Sequence, residues 1–203
     1  MGRLNDKTAI VTGAASGIGK AIALCFAGEG SAVTVDYVEF QEEQANAVVQ
    51  QIEAGGGRGI AIRANLAEPK EVERLVGQTV ERFGHLDILV NNAGIETKSP
   101  FLDYPLNTYR HIIDVDPTGP WVCSRQVARQ MVKQGDGGAI VNISSVHEDL
   151  PMPTNAAYCA AKGGLRVLMR TIADELACHK IMVNNIAPGA IDTPLDHSVE
   201  ADP

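Results

Sequence analysis

The stretch "TAIVTGAASGIGKAIALCF", residues 8–26, decides the fold. Its opening residues, 8–12, are apolar on both faces, which suits a strand buried in a parallel sheet. Glycines follow at 13, 17 and 19, and then Ile18, Ile22 and Phe26 recur at i, i+4 and i+8, the period of a helix packed on one side. A strand that breaks through glycines into a helix brings the first N–H groups of that helix to one point. There they can stabilise the charge of a pyrophosphate that lies close against the backbone. An ordinary glycine-rich turn is the alternative. The strand before, the helix after and the place at the first strand-to-helix turn favour the phosphate reading, and make Gly13, Ser16, Gly17, Ile18 and Gly19 candidate cofactor contacts.

Further short apolar runs lie at 31–37, 59–64, 87–92, 138–144 and 181–187, separated by longer segments of helical period such as Val72, Leu75, Val76 and Val80, closed by Gly84. Gly55 to Gly57 read as a helix stop before the third strand. The repeated strand and helix alternation predicts an α/β fold, a doubly wound parallel sheet of about six strands with helices on both faces. Strand order 3-2-1-4-5-6 is expected, with a binding crevice at the carboxyl ends of the strands. No linker or repeat divides residues 1–203, so one domain is expected.

Composition narrows the partners. Seventeen Lys and Arg stand against 25 Asp and Glu, a formal net charge of -8 without any basic run. Nucleic acid and anionic membrane surfaces are therefore not expected as partners. Cys25, Cys123, Cys159 and Cys178 are widely spaced and form no metal-ligand pattern, so reduced thiols, no metal and a cytoplasmic location are expected. The N-terminus lacks an apolar leader core, and no run approaches the ~18 apolar residues of a membrane span.

Two more strand ends carry chemistry. "DILVNNAG", residues 87–94, ends in Asn91, Asn92, Ala93 and Gly94, where small residues admit a cofactor and the amides either contact it or brace neighbouring strands. "GAIVNISS" ends in Ser144 and Ser145, ahead of "AAYCAAKGG", residues 156–164. There Tyr158 and Lys162 are four apart, one helical turn, on the same face. A serine can hold a substrate oxygen and a tyrosine can pass it a proton if a nearby ammonium lowers its pKa from ~10. Singly, each residue also suits a turn, packing or a solvated charge.

"TGAASGIG", "NNAG", Ser145, "YCAAK" and "PGAIDTP" (188–194) occur in the order and approximate spacing of the short-chain dehydrogenases/reductases, which this chain resembles over essentially its whole length. Within that family, "NNAGIE", "NISSVHE" and "VNNIAPGAIDTP" resemble the bacterial glucose 1-dehydrogenases. The resemblance implies a Rossmann-type fold and NAD(P)-dependent hydride transfer with a sugar or secondary alcohol. It implies that Tyr158 is the acid/base, that Lys162 lowers its pKa and holds the nicotinamide ribose, and that Ser145 orients substrate. Glu96 and His147 become candidate sugar contacts or a solvated loop pair. Pro188, Gly189, Ile191 and Thr193 become cofactor contacts, with Asn65 and Leu66 at the adenine. NAD is favoured over NADP, because "VDYVEF" offers Asp36 with no Arg or Lys nearby and Ser16 stands where many NADP-using relatives are basic. The family register puts the usual acidic position at Tyr37.

The sequence departs from the family twice. Where relatives have an asparagine that binds a proton-relaying water, "DVDPTGPW" places Asp116, followed by Pro117 and Pro120. An added negative charge would overstabilise the Lys162 ammonium, and proline inside a helix costs ~3 kcal/mol. Relatives also continue past "PGAIDTP" through a substrate-covering segment, a helix and a strand. The sixth strand is then expected as an open apolar edge that lowers stability or drives association. Gly163 and Gly164, with Leu165, Leu168, Met169, Ile172 and Leu176, predict close helix packing within the chain or between subunits, and the resemblance implies a homo-oligomer, dimer or tetramer. A dinucleotide-binding protein impaired in catalysis is the rival reading. A serine hydrolase is weaker, since Ser145 lacks the G-x-S-x-G elbow.

Overall fold

A computed structural model describes residues 2–194. Six strands, β1 (Thr8–Val11), β2 (Ala32–Tyr37), β3 (Arg58–Arg63), β4 (Ile88–Asn91), β5 (Gly138–Ile143) and β6 (Ile181–Ile186), form one sheet in the order β3-β2-β1-β4-β5-β6. Every neighbouring pair is parallel. This is the doubly wound arrangement that the sequence pattern predicts, with strand ends displaced by a single residue at most.

Strand alternation divides the core into two layers. Ile10, Leu89, Ile140 and Val183 lie in one register row and face α3 (Pro69–Phe83) and α5 (Gly119–Gln134), joined by part of α6 (Ala156–Leu176). Val11, Val33, Val35 and Val90 face α1 (Gly17–Gly28) and α2 (Glu42–Ala54) on the other side. Thr34 is a buried polar residue among these strands, satisfied by the Thr79 hydroxyl of α3 at 3.0 Å. Both layers hold the sheet flat against helices, so the strand ends become fixed points.

The long helical passage through the proline run has a local explanation. Between α4 (Leu106–Ile113) and α5 the chain makes a π turn, Asp114–Thr118, which contains Pro117. One extra residue in the turn changes the hydrogen-bond partners there, so a proline without an N–H breaks less than it would in a regular α-helix. Pro120 is the second residue of α5, directly behind the π turn. The expected cost is thereby reduced at Pro117. The α6 glycines differ from expectation as well: a Cβ on Gly164 would meet nothing within 4 Å, and one on Gly163 only the Glu148 carbonyl at 3.6 Å. Close packing inside the chain does not require them. β6 ends the sheet order, with Ile181 and Val183 buried and Met182 and Ile186 exposed.

At the amino-terminal end of the sheet, Asp87 joins β1 to β4. Its carboxylate accepts from the Thr8 N–H at 2.9 Å and from Lys7 Nζ at 2.8 Å, with His85 Nδ1 3.2 Å away. Burial works to raise this carboxyl, but Lys7, the Thr8 N–H and His85 outweigh it and hold Asp87 below the ordinary range. An acid whose folded pKa is depressed contributes stability above its unfolded pKa and loses it as pH falls through the folded value. Asp87→Asn is therefore expected to lower the urea midpoint at neutral pH and to flatten its decline under acid. Equal acid dependence in variant and parent would refute the role.

Candidate active site

The carboxyl ends of β1, β4, β5 and β6 converge on one edge of the sheet. Gly13, at φ +60, turns the chain out of β1 beside β4, and a Cβ there would stand 2.9 Å from Ala93 Cα. Ser16 precedes α1 without a side-chain capping bond, which leaves the N–H groups of Gly17, Ile18 and Gly19 in the uncapped first turn. Such orphan donors at a helix start, reached through a glycine turn, fit the phosphates of a dinucleotide. The Thr12 hydroxyl accepts from the Asn92 N–H at 2.9 Å and the Ala93 N–H at 3.0 Å, and Asn92 Nδ2 donates back to the Thr12 carbonyl at 2.9 Å. The two strand ends are thus fastened to each other.

Asn91 has a bracing role. Its Nδ2 donates to Asn142 Oδ1 at 2.8 Å and Ser124 Oγ at 3.0 Å, and Asn142 Nδ2 donates to Asn185 Oδ1 at 2.9 Å. Asn91, Asn142 and Asn185 are register partners on β4, β5 and β6, so the amides form a ladder inside the sheet. Asn91 is buried there, and its side-chain amide donors are committed to bracing the strands.

The adenosine end needs a correction. Asp36 is buried, with Oδ2 accepting from the Gly13 N–H at 3.2 Å and Oδ1 without a partner. Burial pushes its carboxyl well above the ordinary range, against the Gly13, Tyr37 and Ala64 N–H groups. Asp36 supports the glycine turn from below and is not presented to a ribose. Tyr37 follows at the strand end, also buried. Arg63 is its register partner on β3, and both Arg63 and Arg74 act on its phenol, so pairing of β2 with β3 brings to this strand end arginines that its own stretch of sequence lacks. Asn65 Oδ1 accepts from the Ala67 N–H at 3.1 Å, and the Leu66 side chain belongs to the core.

At the other end of the crevice, β5 delivers Ser145 and α6 delivers Tyr158 and Lys162. The Ser145 hydroxyl accepts from the His147 N–H at 3.2 Å and also interacts with the Tyr158 phenol. Lys162 Nζ lies 5.3 Å from the Tyr158 ring centroid, donates to the Ile143 carbonyl at 3.4 Å and stands 3.1 Å from Asp116 Oδ2. The π turn aims Asp116 into this centre, where Oδ1 accepts from the Ile95 N–H at 2.9 Å and Oδ2 faces the ammonium without an aligned hydrogen bond. Burial raises the Asp116 carboxyl, and Lys162 and the Ile95 N–H pull it only part of the way back. Burial likewise raises Tyr158. Lys162 and Ser145 lower it, while Asp116 and Glu96 raise it further, so the phenol stays above its ordinary pKa where Lys162 alone was expected to bring it down.

His147 and Glu96 are both near Tyr158: the His147 ring lies 6.5 Å from the phenol ring, edge on, and the Glu96 charge acts on the phenol. Glu96 Oε1 accepts from Asn155 Nδ2 at 2.6 Å, which ties the loop after β4 to the residue that precedes α6. Pro188 accepts from the Val146 N–H at 3.0 Å, Gly189 and Ile191 are exposed, and Thr193 lies 3.6 Å from where a Gly17 Cβ would be. Of the expected contacts, the structure gathers Ser145, Tyr158, Lys162 and Asp116 at one end and the glycine turn at the other. Sequence reasoning missed Thr12, Asn142, Asn155, Asn185 and Arg63. For Asn142, a polar residue inside an otherwise apolar strand was the available signal.

A family model for short chain dehydrogenases matches residues 7–203. The chain belongs to the short-chain dehydrogenase/reductase family. It is accordingly an NAD(P)-dependent oxidoreductase acting on a small molecule. It is 41% identical over 203 residues to a 3-oxoacyl-[acyl-carrier-protein] reductase from Synechocystis, covering 100% of this chain and 81% of that one. Among solved structures it is similar to acetoin dehydrogenase from Enterobacter cloacae, at 47% identity and TM-score 0.87 over 93% of this chain and 77% of that chain. A short-chain dehydrogenase from Burkholderia cenocepacia in complex with NADP matches at 39% identity and TM-score 0.90, over 95% of this chain and 78% of that chain. Among the described residues, no cluster of His, Cys, Asp and Glu is placed to hold a metal and no helix is long and apolar enough to cross a membrane.

Gly94 gives a local test of this short-chain dehydrogenase site. A Cβ at residue 94 would approach Asp116 Oδ2 to 3.0 Å and Lys162 Nζ to 3.3 Å. Gly94→Ala is expected to weaken dinucleotide binding, read by quenching of intrinsic fluorescence, with little loss of thermal stability. Parent-like binding would show that the wall tolerates the methyl group.

Proposed function

We propose that this chain, as one dinucleotide-binding domain, oxidises a hydroxylated small molecule, a secondary alcohol or sugar, or reduces the matching carbonyl. The observation that carries this reading is the convergence of Ser145, Tyr158 and Lys162 at one end of a crevice whose other end is a glycine turn that fits a dinucleotide. A bound nicotinamide cofactor supplies the hydride chemistry. In the oxidative direction Ser145 holds the substrate hydroxyl and the Tyr158 oxygen takes its proton as the carbon loses hydride. In the reductive direction the phenol returns that proton to the carbonyl oxygen. Lys162 favours the phenolate by its charge, and its remaining N–H capacity suits a ribose hydroxyl.

Polar side chains on the substrate side support a hydroxylated ligand. Glu96 retains a second carboxylate oxygen that can accept from a hydroxyl, and the His147 ring stands edge-on to Tyr158. The resemblance to glucose dehydrogenases and the similarity to an acetoin dehydrogenase both favour small hydroxylated substrates, glucose and acetoin being the first pair to assay. We further infer that the chain works as a homo-oligomer in the cytoplasm. Tyr158→Phe keeps the ring and removes the proton carrier, so kcat is expected to fall about 10²–10⁴-fold with NADH binding retained. Unchanged turnover would sink the mechanism.

The Asp116–Lys162 pair supports a second reading, in which the dinucleotide is bound but turnover is poor. Asp116 and the phenolate are like charges, so Asp116 offsets part of the Lys162 attraction and, with burial, favours the protonated phenol. Asp116→Asn is expected to move the alkaline rise of kcat in the oxidative direction to lower pH, because the opposing charge is gone. A shift to higher pH, or none, would show that Asp116 does not act on the tyrosine.

A further inference from the structure

The end of β2 lacks the acid that would receive a ribose diol. Asp36 is turned under the glycine turn, and Tyr37 takes the terminal place. Beside it, β3 ends in Arg63, whose Cα is the register partner of Tyr37 and whose side chain therefore leaves the sheet on the same face. The position is rigid: the Ala64 N–H donates to the Tyr37 carbonyl at 3.0 Å, and Arg74 Nη2 donates to the Arg63 carbonyl at 2.6 Å. The guanidinium itself is half exposed and reaches Glu39, just past β2, with Nη1 3.2 Å from Oε1. Glu39 is 87% exposed on its side chain, so this partner is solvated and easily exchanged.

We propose that Arg63 recognises the 2′-phosphate of NADP and that Glu39 is the carboxylate this phosphate displaces. The assignment rests on the dinucleotide reading given above. A guanidinium fork matches a phosphate in bidentate geometry, and a dianion competes well against one solvated carboxylate. Arg74 is committed to Glu71 at 3.5 Å and to the Arg63 carbonyl, and so fixes Arg63 in place while adding positive charge. No basic residue is needed at Ser16, since the cation arrives from the neighbouring strand.

Isothermal titration of the full chain with NADPH, NADH, adenosine 2′,5′-bisphosphate and 5′-AMP tests this without turnover. For Arg63→Gln the ratio of NADPH to NADH affinity is expected to fall about tenfold, with the bisphosphate losing as much relative to 5′-AMP. Arg63→Lys, a point charge in place of a fork, should recover part of the ratio, and Glu39→Gln should raise it. The preference should also shrink with added salt, because the arginine is half exposed. Binding of both dinucleotides with ratios unmoved by Arg63→Gln and Glu39→Gln would overturn the assignment alone. Binding of neither by the parent chain would overturn the dinucleotide reading and the assignment with it.

Discussion

The Thr12 hydroxyl occupies the point on which the site is assembled. It accepts two N–H groups from the chain leaving β4, at 2.9 and 3.0 Å, while Asn92 returns its amide to the Thr12 and Gly13 carbonyls. One short side chain thereby closes the crevice between the two central strands and sets how near Ala93 and Gly94 come to the glycine turn. Everything further out inherits that placement. Gly13 packs on Ala93, Asp36 fastens the turn from below, and Gly94 forms a wall with nothing thicker than a hydrogen between it and the Asp116–Lys162 pair. The amide ladder continues the constraint across β4, β5 and β6, the strands whose ends lead to Ser145 and the loop beyond β6.

Charge is then arranged within this frame at some expense. Lys162 and Asp116 are both nearly inaccessible, and two charges lose hydration that their mutual attraction recovers only in part. The raised Asp116 carboxyl is the mark of that deficit. An amide at the same place would accept from the Ile95 N–H without adding a charge. With a carboxylate, the ammonium has a fixed partner, and its attraction for a phenolate is opposed by the charge of that partner. The π turn is what makes this geometry possible, since it both accommodates Pro117 and brings residue 116 inward.

Legibility in the sequence follows the range of the interactions concerned. Strand order, the glycine turn and the Tyr158–Lys162 face depend on local periodicity and spacing, and these read correctly. Asp36 did not, because alternate strand residues face opposite sides and the choice between Asp36 and Tyr37 is a choice of one residue. Arg63 lies 26 positions beyond Tyr37 and meets it only once β2 and β3 are paired in register, so a scan for nearby basic residues passes over it. Asn91 shows the same limit: cofactor contact and bracing are equally good for an isolated asparagine, and only Asn142 opposite it decides. Pro117 looked costly because a regular helix was assumed where the chain makes a wider turn.

The two halves of the site are supported differently, and this bears on what can vary in it. Ser145, Tyr158 and Lys162 follow β5 or lie on the start of α6, where Ala157 and Ala161 pack in a small separate cluster with Ile112, whereas the glycine turn rests on β1 and β4 in the two core layers. Glu96 and His147 stand on connections instead: Glu96 is held by Asn155 at 2.6 Å, and His147 by its ring Nδ1 3.1 Å from the Leu150 carbonyl and by its N–H on the Ser145 hydroxyl at 3.2 Å. Side chains on these connections can vary without displacing the strands that carry the rest of the site. The Glu96–Asn155 contact limits that independence. Asn155 is fully buried and immediately precedes α6, so a substitution at Glu96 reaches the start of the helix that carries Tyr158.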